Sequence, residues 1–282
     1  MLRPIFSPTR LFSIHRALCS KAATNGLVLT DVDIKTGYAK VTLNRAPVNG
    51  LNLELITEVS RTIDDLEREN VKGMLLTSFS DKVFCAGLEL TEMVNPNPDR
   101  LQAVWTSLQD MWAKVYGCSF PSVAIVNGHA PAGGCLLAIG CEYRIMCPNF
   151  IIGLNETALG IVVPPWLQIT MRNTIGARES EIGCTKGTLY SSEQALKVGL
   201  VDELANNKEE AMAKAIGFLN TFKNMSPYAR SATKLMLRNR DIEDMKRYRE
   251  DDTNRFMNNV MNPEFQQGLA VYLQSLKQRK AK

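Results

Sequence analysis

The sequence predicts an α/β domain followed by a helical C-terminal region. Short apolar or alternating runs, typical of strands, alternate with longer segments whose apolar residues recur at helical spacing. From about residue 164 onward the strand-like runs fade and helical patterns dominate. Hydrophobic residues make up 45% and charged residues 22% of the 282 residues, which is typical of a globular protein with a substantial core.

The first 26 residues differ in composition from the rest of the chain. Residues 1–30 contain four basic residues, no acidic residue, and a mixture of serines and apolar residues. Because Arg10 and Arg16 interrupt the apolar core that a secretory signal requires, the segment fits a mitochondrial transit peptide better. A disordered basic tail is the alternative. These four basic residues account for the whole formal net charge of +4, so the remainder is formally neutral.

The predicted core begins with a β-hairpin. Two runs, 27–34 and 38–43, flank a turn signal that ends in Gly37. Asn52 then occupies the N-cap position of an amphipathic helix over residues 53–69. A buried strand in VKGMLLTS and a short apolar segment, VFCAGLEL, follow this helix. Further along, the patterns predict a helix over 100–117, a strand in PSVAIVN, a helix in GGCLLAIGC and a strand in YRIMC.

The last part of the chain, residues 206–282, is predicted to be helical. Helical patterns with charged faces cover residues 207–223, 227–239, 241–258 and 263–279. No linker rich in Gly, Ser or Pro separates this region from the core at residues 27–205. We expect no membrane span, because prolines and glycines interrupt the uncharged segment 115–141.

One long segment contains very few charges. Residues 115–171 hold three formal charges, where the chain average would give about a dozen. Glu142 and Arg144 lie two apart in a predicted strand, so they share a face and can pair. Glu156 has no such partner and lies among apolar residues, where desolvation would raise the pKa of its carboxyl and suit it to proton transfer. A helix cap or a structural hydrogen bond is the alternative role.

The cysteines and histidines do not indicate a metal site. The seven cysteines form no CxxC pair, and the chain beyond the leader has one histidine, His129. Zinc sites and nucleophilic triads are therefore disfavoured, and a structural role is favoured for His129. We therefore expect no bound metal, and we expect the cysteines to be buried free thiols.

Two turns rich in small residues, FCAGLEL and HAPAGGCLL, carry the second candidate feature. Such turns leave backbone N–H groups without internal partners, and two of them can converge on one oxygen as an oxyanion hole. Gly133 and Gly134 precede a predicted helix, whose dipole would add to this effect. Tight packing is the alternative explanation, and the glycine spacing is not that of a phosphate loop.

Four strings together resemble the crotonase (enoyl-CoA hydratase/isomerase) superfamily over roughly residues 27–205. They are VTLNRAPVNGLN, FCAGLELTEM, NGHAPAGGCLLAIGCEYRIM and GLNETALGIVVPPW. Within the superfamily, LTEM, PAGGCL and GLNET resemble the mitochondrial enoyl-CoA isomerase branch. The resemblance implies a spiral of short ββα units, a C-terminal helical trimerisation region, a homotrimer and a place in the mitochondrial matrix.

The resemblance also implies the site residues. Glu156 would be the catalytic acid and base, and the backbone N–H groups of Leu88 and Gly133 would form the oxyanion hole. The implied substrate-binding residues are Val48, Asn49, Cys85, Ala86, Gly87, Leu88, Glu89, Gly133, Gly134 and Asn155. Glu89 stands where the family often has Asp, so it is a rival carboxylate, and support of its loop is the favoured role.

The implied reaction moves the double bond of a 3-enoyl-CoA to give trans-2-enoyl-CoA in β-oxidation of unsaturated fatty acids. Leu136 stands where a hydratase of this family has a carboxylate, and one base suffices to move a proton from C2 to C4. Coenzyme A is part of the substrate, so we expect no separate cofactor. The alternatives are an enoyl-CoA hydratase or another acyl-CoA enzyme of this fold, and a crotonase-fold RNA-binding protein. The neutral domain argues against a nucleic-acid partner.

Overall fold

The computed structural model describes residues 26–280, so the predicted transit peptide lies outside the described residues except for Gly26. The strands are β1 (Val28–Val32), β2 (Tyr38–Leu43), β3 (Gly73–Ser78), β4 (Ser122–Val126), β5 (Ala130–Pro131), β6 (Tyr143–Met146), β7 (Ile151–Gly153), β8 (Tyr190–Ser191) and β9 (Glu203–Leu204). The helices of the core are α1 (Leu53–Arg68), α2 (Pro98–Gly117), α3 (Gly133–Gly140), α4 (Pro165–Ile175), α5 (Ala177–Lys186) and α6 (Ser192–Val198). The C-terminal helices are α7 (Lys208–Asn220), α8 (Pro227–Arg247), α9 (Arg249–Val260) and α10 (Pro263–Lys280).

Two sheets organise the core, which confirms the predicted α/β class. Within residues 26–280, six strands form one sheet in the order β1-β2-β3-β4-β6-β9, and three short strands form another in the order β5-β7-β8. The β1–β2 hairpin is antiparallel as predicted, and the other neighbours in the large sheet are parallel. Since parallel strands end at the same edge, the segments that follow β3 and β4 leave the sheet side by side. These segments contain the two turns rich in small residues.

Helices cover both faces of the large sheet. Asn52 caps α1 as predicted, with its Oδ1 accepting the Leu55 N–H at 3.1 Å, and the apolar face of α1 is buried. On the other face, Ala211, Ala215 and Leu219 of α7 pack against the sheet. Every residue of β3 and β4 is consequently buried, as expected for parallel strands between two helical layers.

The C-terminal helices differ from the prediction at one boundary. The predicted break near residue 240 is absent, because α8 continues to Arg247 and the chain bends at Tyr248 instead. Arg230, Lys234 and Arg238 recur every four residues along α8, and each contacts the core. This stripe continues through buried residues of α8, so the inward face crosses the predicted break without interruption. None of the helices described between residues 26 and 280 is long and apolar enough to cross a membrane.

The predicted pairing of Glu142 with Arg144 is wrong. Glu142 lies just before β6 rather than in it, and its carboxylate pairs with Arg230 and with Lys234, the latter at 3.0 Å. Arg144 instead pairs with Asp202 at 2.7 Å, next to β9. The Lys234 side chain is 5% exposed and also donates to the Phe120 carbonyl oxygen at 3.3 Å. Glu142 therefore attaches α8 to the core through a largely buried charge cluster.

We expect Glu142→Gln to destabilise the protein by about 3 kcal/mol, because it leaves the buried Lys234 ammonium without its carboxylate. Urea denaturation followed by circular dichroism measures the change in the free energy of unfolding. Glu243→Gln is the control, since it removes a pair with Lys246 on the exposed side of α8 and should cost less than about 0.5 kcal/mol. Equal changes for the two variants would contradict the anchoring role of Glu142.

Candidate active site

The two turns rich in small residues pack directly against each other. Gly87 has a φ of +85°, and a Cβ atom on it would lie 2.9 Å from the Ala132 Cβ and 3.0 Å from the Gly133 nitrogen. A Cβ atom on Gly134 would lie 2.1 Å from the carbonyl oxygen of Cys85. Only glycine permits these approaches, so backbone meets backbone at this contact.

The N–H of Leu88 points away from its nearest backbone neighbour. Leu51 donates its N–H to the Gly87 carbonyl oxygen at 2.8 Å and accepts the Glu89 N–H at 3.1 Å, which forms an isolated parallel bridge with Leu88. In such a bridge, the N–H and C=O of the central residue face the opposite side. No residue between 26 and 280 accepts the N–H of Leu88, so this donor is available to a ligand.

The N–H of Gly133 is a second available donor. Gly133 is the first residue of α3, where backbone N–H groups have no partner within the helix and the helix dipole is positive. The preceding Ala132 adopts φ 49° and ψ −119°, a conformation that costs about 1–3 kcal/mol. Its N–H donates to the Gly153 carbonyl oxygen at 2.8 Å, which ties the strained turn to β7.

A cavity of about 110 Å³ connects these donors with the predicted catalytic carboxylate. Five of the predicted site residues line it: Ala86, Leu88, Gly133, Asn155 and Glu156. Most of the remaining wall is apolar. It comes from α2, α3, α4 and α10 and from shorter segments between residues 90 and 164. The structure therefore brings the carboxylate and both turns into one largely apolar chamber.

Glu156 is a buried carboxylate without a hydrogen-bond partner at one of its oxygens. It begins a short 3₁₀ helix, Glu156–Leu159, and is 8% exposed. Its Oε2 and the Oδ1 of Asn155 are both buried, and neither has a partner in the described part of the chain. Burial raises the pKa of Glu156 to about 7, and a backbone hydrogen bond opposes this shift in part. The carboxyl can therefore both accept and return a proton near neutral pH.

The short 3₁₀ helix that carries Glu156 is fixed from both sides. The Ile161 N–H donates to the Glu156 carbonyl oxygen at 3.0 Å, and Gly160 ends the turn in the left-handed conformation. Thr157 donates its hydroxyl to the Cys184 carbonyl oxygen of α5 at 2.6 Å. These contacts hold the carboxylate at the cavity without using its side-chain oxygens.

Two predicted site residues from the loop before α1 lie behind the cavity wall and support the first turn. Asn49 is fully buried, and its side-chain amide donates to the Ser78 Oγ at 2.8 Å and to the Phe84 carbonyl oxygen at 2.9 Å. Val48 accepts the Ala86 N–H through its carbonyl oxygen at 3.0 Å. Both residues hold the turn in place, and neither side chain lines the cavity.

Two residues of the first turn itself, Cys85 and Glu89, also have structural contacts. Glu89 pairs with Arg45 at 2.8 Å, which supports the loop rather than presenting a free carboxylate to the cavity. Cys85 is fully buried, and burial raises the pKa of its thiol to about 12, so it is not a thiolate near neutral pH. In the second turn, His129 accepts the Ile151 N–H at its Nδ1 at 3.2 Å, a contact in keeping with a structural role.

Sequence reasoning missed part of the cavity wall. Trp105, Trp166 and Tyr272 line the cavity, together with Leu90 and Met93. Trp105 lies in the helix predicted over residues 100–117, where the helical spacing of apolar residues indicates only a core position. Tyr272 comes from the last helix, and no pattern in the sequence links it to the turns near residues 88 and 133.

Comparison with known proteins gives a consistent family. The model of the enoyl-CoA hydratase/isomerase family matches residues 33–280. The chain is 38% identical over 259 residues to the mouse protein named enoyl-CoA delta isomerase 1, mitochondrial, covering 91% of this chain and 89% of that protein. The human protein of the same name is 36% identical over 256 residues, covering 90% of this chain and 84% of that protein.

Solved structures give the same result. The structure is similar to that of human mitochondrial delta3-delta2-enoyl-CoA isomerase, with a TM-score of 0.87 and 36% identity, covering 90% of this chain and 99% of that chain. It is also similar to an enoyl-CoA hydratase from Bacillus halodurans, with a TM-score of 0.80 and 23% identity, covering 87% of this chain and 100% of that chain. The second similarity concerns the fold alone.

We expect Glu156→Gln to stabilise the protein above pH 7. Burial places the pKa of Glu156 at about 7 in the folded chain, above its ordinary value of 4.5, so folding opposes ionisation of this carboxyl. The resulting cost is absent below pH 4.5 and complete above pH 7, where it amounts to about 3 kcal/mol. Urea denaturation of both proteins at pH 5 and pH 8 measures it. A stability difference that did not grow with pH would contradict the raised pKa.

Proposed function

Since this chain belongs to the enoyl-CoA hydratase/isomerase family, we infer that it moves the double bond of a 3-enoyl-CoA thioester to the 2 position. It is an enoyl-CoA isomerase that acts in the β-oxidation of unsaturated fatty acids. One observation carries the proposed mechanism: a buried carboxylate with a raised pKa shares a cavity with two available backbone N–H donors.

In the proposed reaction, the Glu156 carboxylate removes a proton from C2 of the substrate. The electron pair of the broken C–H bond moves into the conjugated system and places negative charge on the thioester oxygen, which forms a dienolate. The carboxyl of Glu156 then returns the proton to C4 as the carbonyl reforms, and a C2–C3 double bond results. No net proton is gained or lost, so one group with a pKa of about 7 suffices for both steps.

The N–H groups of Leu88 and Gly133 would stabilise the dienolate. Both lie at the cavity with Glu156, and both are fixed before the substrate binds. Donors held in this way are worth more against a charge that develops in a dry site than they are in water. The strained turn at Ala132 and the glycine contact at Gly87 support this role, because they place the backbone that carries one donor next to the backbone that carries the other.

The cavity supports isomerisation over hydration. Hydration requires a water molecule to be oriented and activated beside the double bond, for which this fold uses a second carboxylate. Leu136 lines the cavity at that position and is 1% exposed, so an apolar side chain stands where water would have to be held. Glu89, the rival carboxylate, is paired with Arg45 behind the wall.

The remaining proposals concern location, assembly and cofactors. The names of the mouse and human relatives include the word mitochondrial, which supports a mitochondrial location for this chain. We propose the matrix as the compartment and residues 1–26 as the transit peptide, on the basis of the acid-free leader.

We also propose a homotrimer in which the C-terminal helices contribute to assembly. The reaction requires no metal and no cofactor besides the coenzyme A that the substrate carries.

We expect Glu156→Gln to lower kcat for isomerisation by about 10³-fold, because the amide can neither accept nor return the proton. The measurement is the rate at which the purified protein forms 2-enoyl-CoA from a saturating 3-enoyl-CoA substrate. Glu89→Gln should cost far less, since its effect would arise only through the loop. If Glu89→Gln abolished turnover and Glu156→Gln did not, the assignment of the base would be wrong.

We expect kcat/KM for isomerisation to fall as the pH drops below about 7. The carboxylate form of Glu156 is the base, and kcat/KM reports the ionisation of the free enzyme. The profile should lose this limb in Glu156→Gln, whatever activity remains. A profile flat from pH 5 to pH 8 in the wild type would exclude a base with this pKa.

A further inference from the structure

A carboxylate in the C-terminal region accepts three hydrogen bonds next to the active-site cavity. Asp252 of α9 is 7% exposed, and its Oδ2 accepts the Nε1–H groups of Trp105 and Trp166, each at 3.0 Å. The Gln109 side-chain amide donates to the same oxygen at 2.8 Å. Buried charges are normally paired with a cation, yet here three polar donors satisfy one carboxylate oxygen.

Both indoles that Asp252 binds belong to the wall of the cavity that contains Glu156. An indole can only donate through its N–H, so each ring orientation depends on an acceptor at a fixed position. Phe256, one turn further along α9, stacks on Trp105 with the ring centroids 3.7 Å apart and the planes 7° from parallel. The helix α9 therefore fixes the Trp105 ring by its edge and by its face.

We expect the acyl chain to extend along the indole wall, the part of the cavity that Trp105 and Trp166 line. The polar side-chain groups of the cavity are those of Glu156, Asn155 and Tyr272, besides the indole N–H groups that Asp252 binds. We expect Glu156, Asn155 and the backbone donors to serve the thioester and the first carbons. The rest of the lining is apolar, so the tail beyond C4 must pack against it. The length of tail that fits then depends on where the two indoles are held.

We propose that Asp252 is a positioning residue that sets the acyl-chain selectivity of the enzyme, by holding Trp105 and Trp166 in the cavity wall. The inference rests on the proposed isomerase function and extends it to the far part of the substrate. Asp252 lies in α9, outside the turns that carry the oxyanion donors and Glu156. Its loss should consequently affect the binding of long acyl chains more than the chemical step.

The experiment compares wild type with Asp252→Ala, Asp252→Asn and Phe256→Leu on 3-enoyl-CoA substrates of four and ten carbons. For Asp252→Ala, kcat/KM with the ten-carbon substrate should fall by about tenfold, mainly through KM, because charge-assisted hydrogen bonds to both indoles are lost. With the four-carbon substrate it should change by less than about twofold. Asp252→Asn, which retains an acceptor oxygen, should restore part of the selectivity. Glu250→Gln, an exposed change on the same helix, is the matched control.

A binding measurement separates this inference from the proposed function. All three tryptophans of the chain lie in this cluster, since Trp112 packs on Trp166 with the ring centroids 5.4 Å apart. Quenching of their fluorescence by the non-reactive butyryl-CoA and decanoyl-CoA reports affinity without turnover. We expect the preference of the wild type between the two ligands to change in Asp252→Ala and in Phe256→Leu. If Asp252→Ala does not fold, the same ligand preference is measured with Phe256→Leu and Asp252→Asn.

The possible outcomes are distinct. Absence of isomerisation by the wild type would overturn the proposed function, whatever the binding data show. An active wild type whose variants lose the same factor with both substrates, or retain the ligand preference, would overturn the role of Asp252 alone. A loss confined to the longer chain in KM and in affinity would support it.

Discussion

The site depends on one contact between two stretches of backbone. The segment after β3 and the start of α3 approach so closely that a side chain at Gly87 or Gly134 would collide with the opposite main chain. The parallel sheet brings the two stretches to the same edge, and glycine lets them touch there. Neither Leu88 nor Gly133 supplies a side chain for chemistry, since each would act through a backbone N–H that has no acceptor among residues 26–280. Such donors cannot be deleted by changing a side chain, so the fold itself maintains them.

The carboxylate of Glu156, which faces the same cavity, lowers the stability of the folded protein. Buried Glu156, which has no cationic partner in the part of the chain that the structure describes, lowers stability at neutral pH, and the strained Ala132 lowers it further. The surrounding structure offsets both, through the buried core beneath α1 and α7 and through the charge cluster that anchors α8. The proposed catalytic role of the site and the stability of the fold are thus opposed, and the remainder of the domain supplies the stability that the site lacks.

The sequence predicts features that depend on neighbouring residues better than contacts between residues that are distant in the chain. The hairpin, the cap at Asn52 and the alternation of strands and helices are local, and the structure confirms them. Glu156 was also visible, because a lone charge in an apolar segment needs no knowledge of the fold to be noticed. The partner of Glu142 was predicted wrongly, since the nearest opposite charge in sequence is not the nearest in space once α8 packs on the core. The indole wall was missed for the same reason, because Trp105 and its acceptor Asp252 are 147 positions apart.

The placement of Tyr272 in the cavity wall has a consequence for how the enzyme matures. The two turns and Glu156 precede the C-terminal helices, but Tyr272 of α10 lines the cavity and Asp252 of α9 binds two indoles of its wall. A ribosome makes both helices after the core. A growing chain whose core had already formed would hold the proposed donors and base in a cavity that lacks Tyr272 and the acceptor of its two indoles. It would therefore be less able to keep water from the dienolate and to retain an acyl chain. Full activity should consequently appear only after α9 and α10 have been made and have docked, rather than in proportion to the length of core already folded.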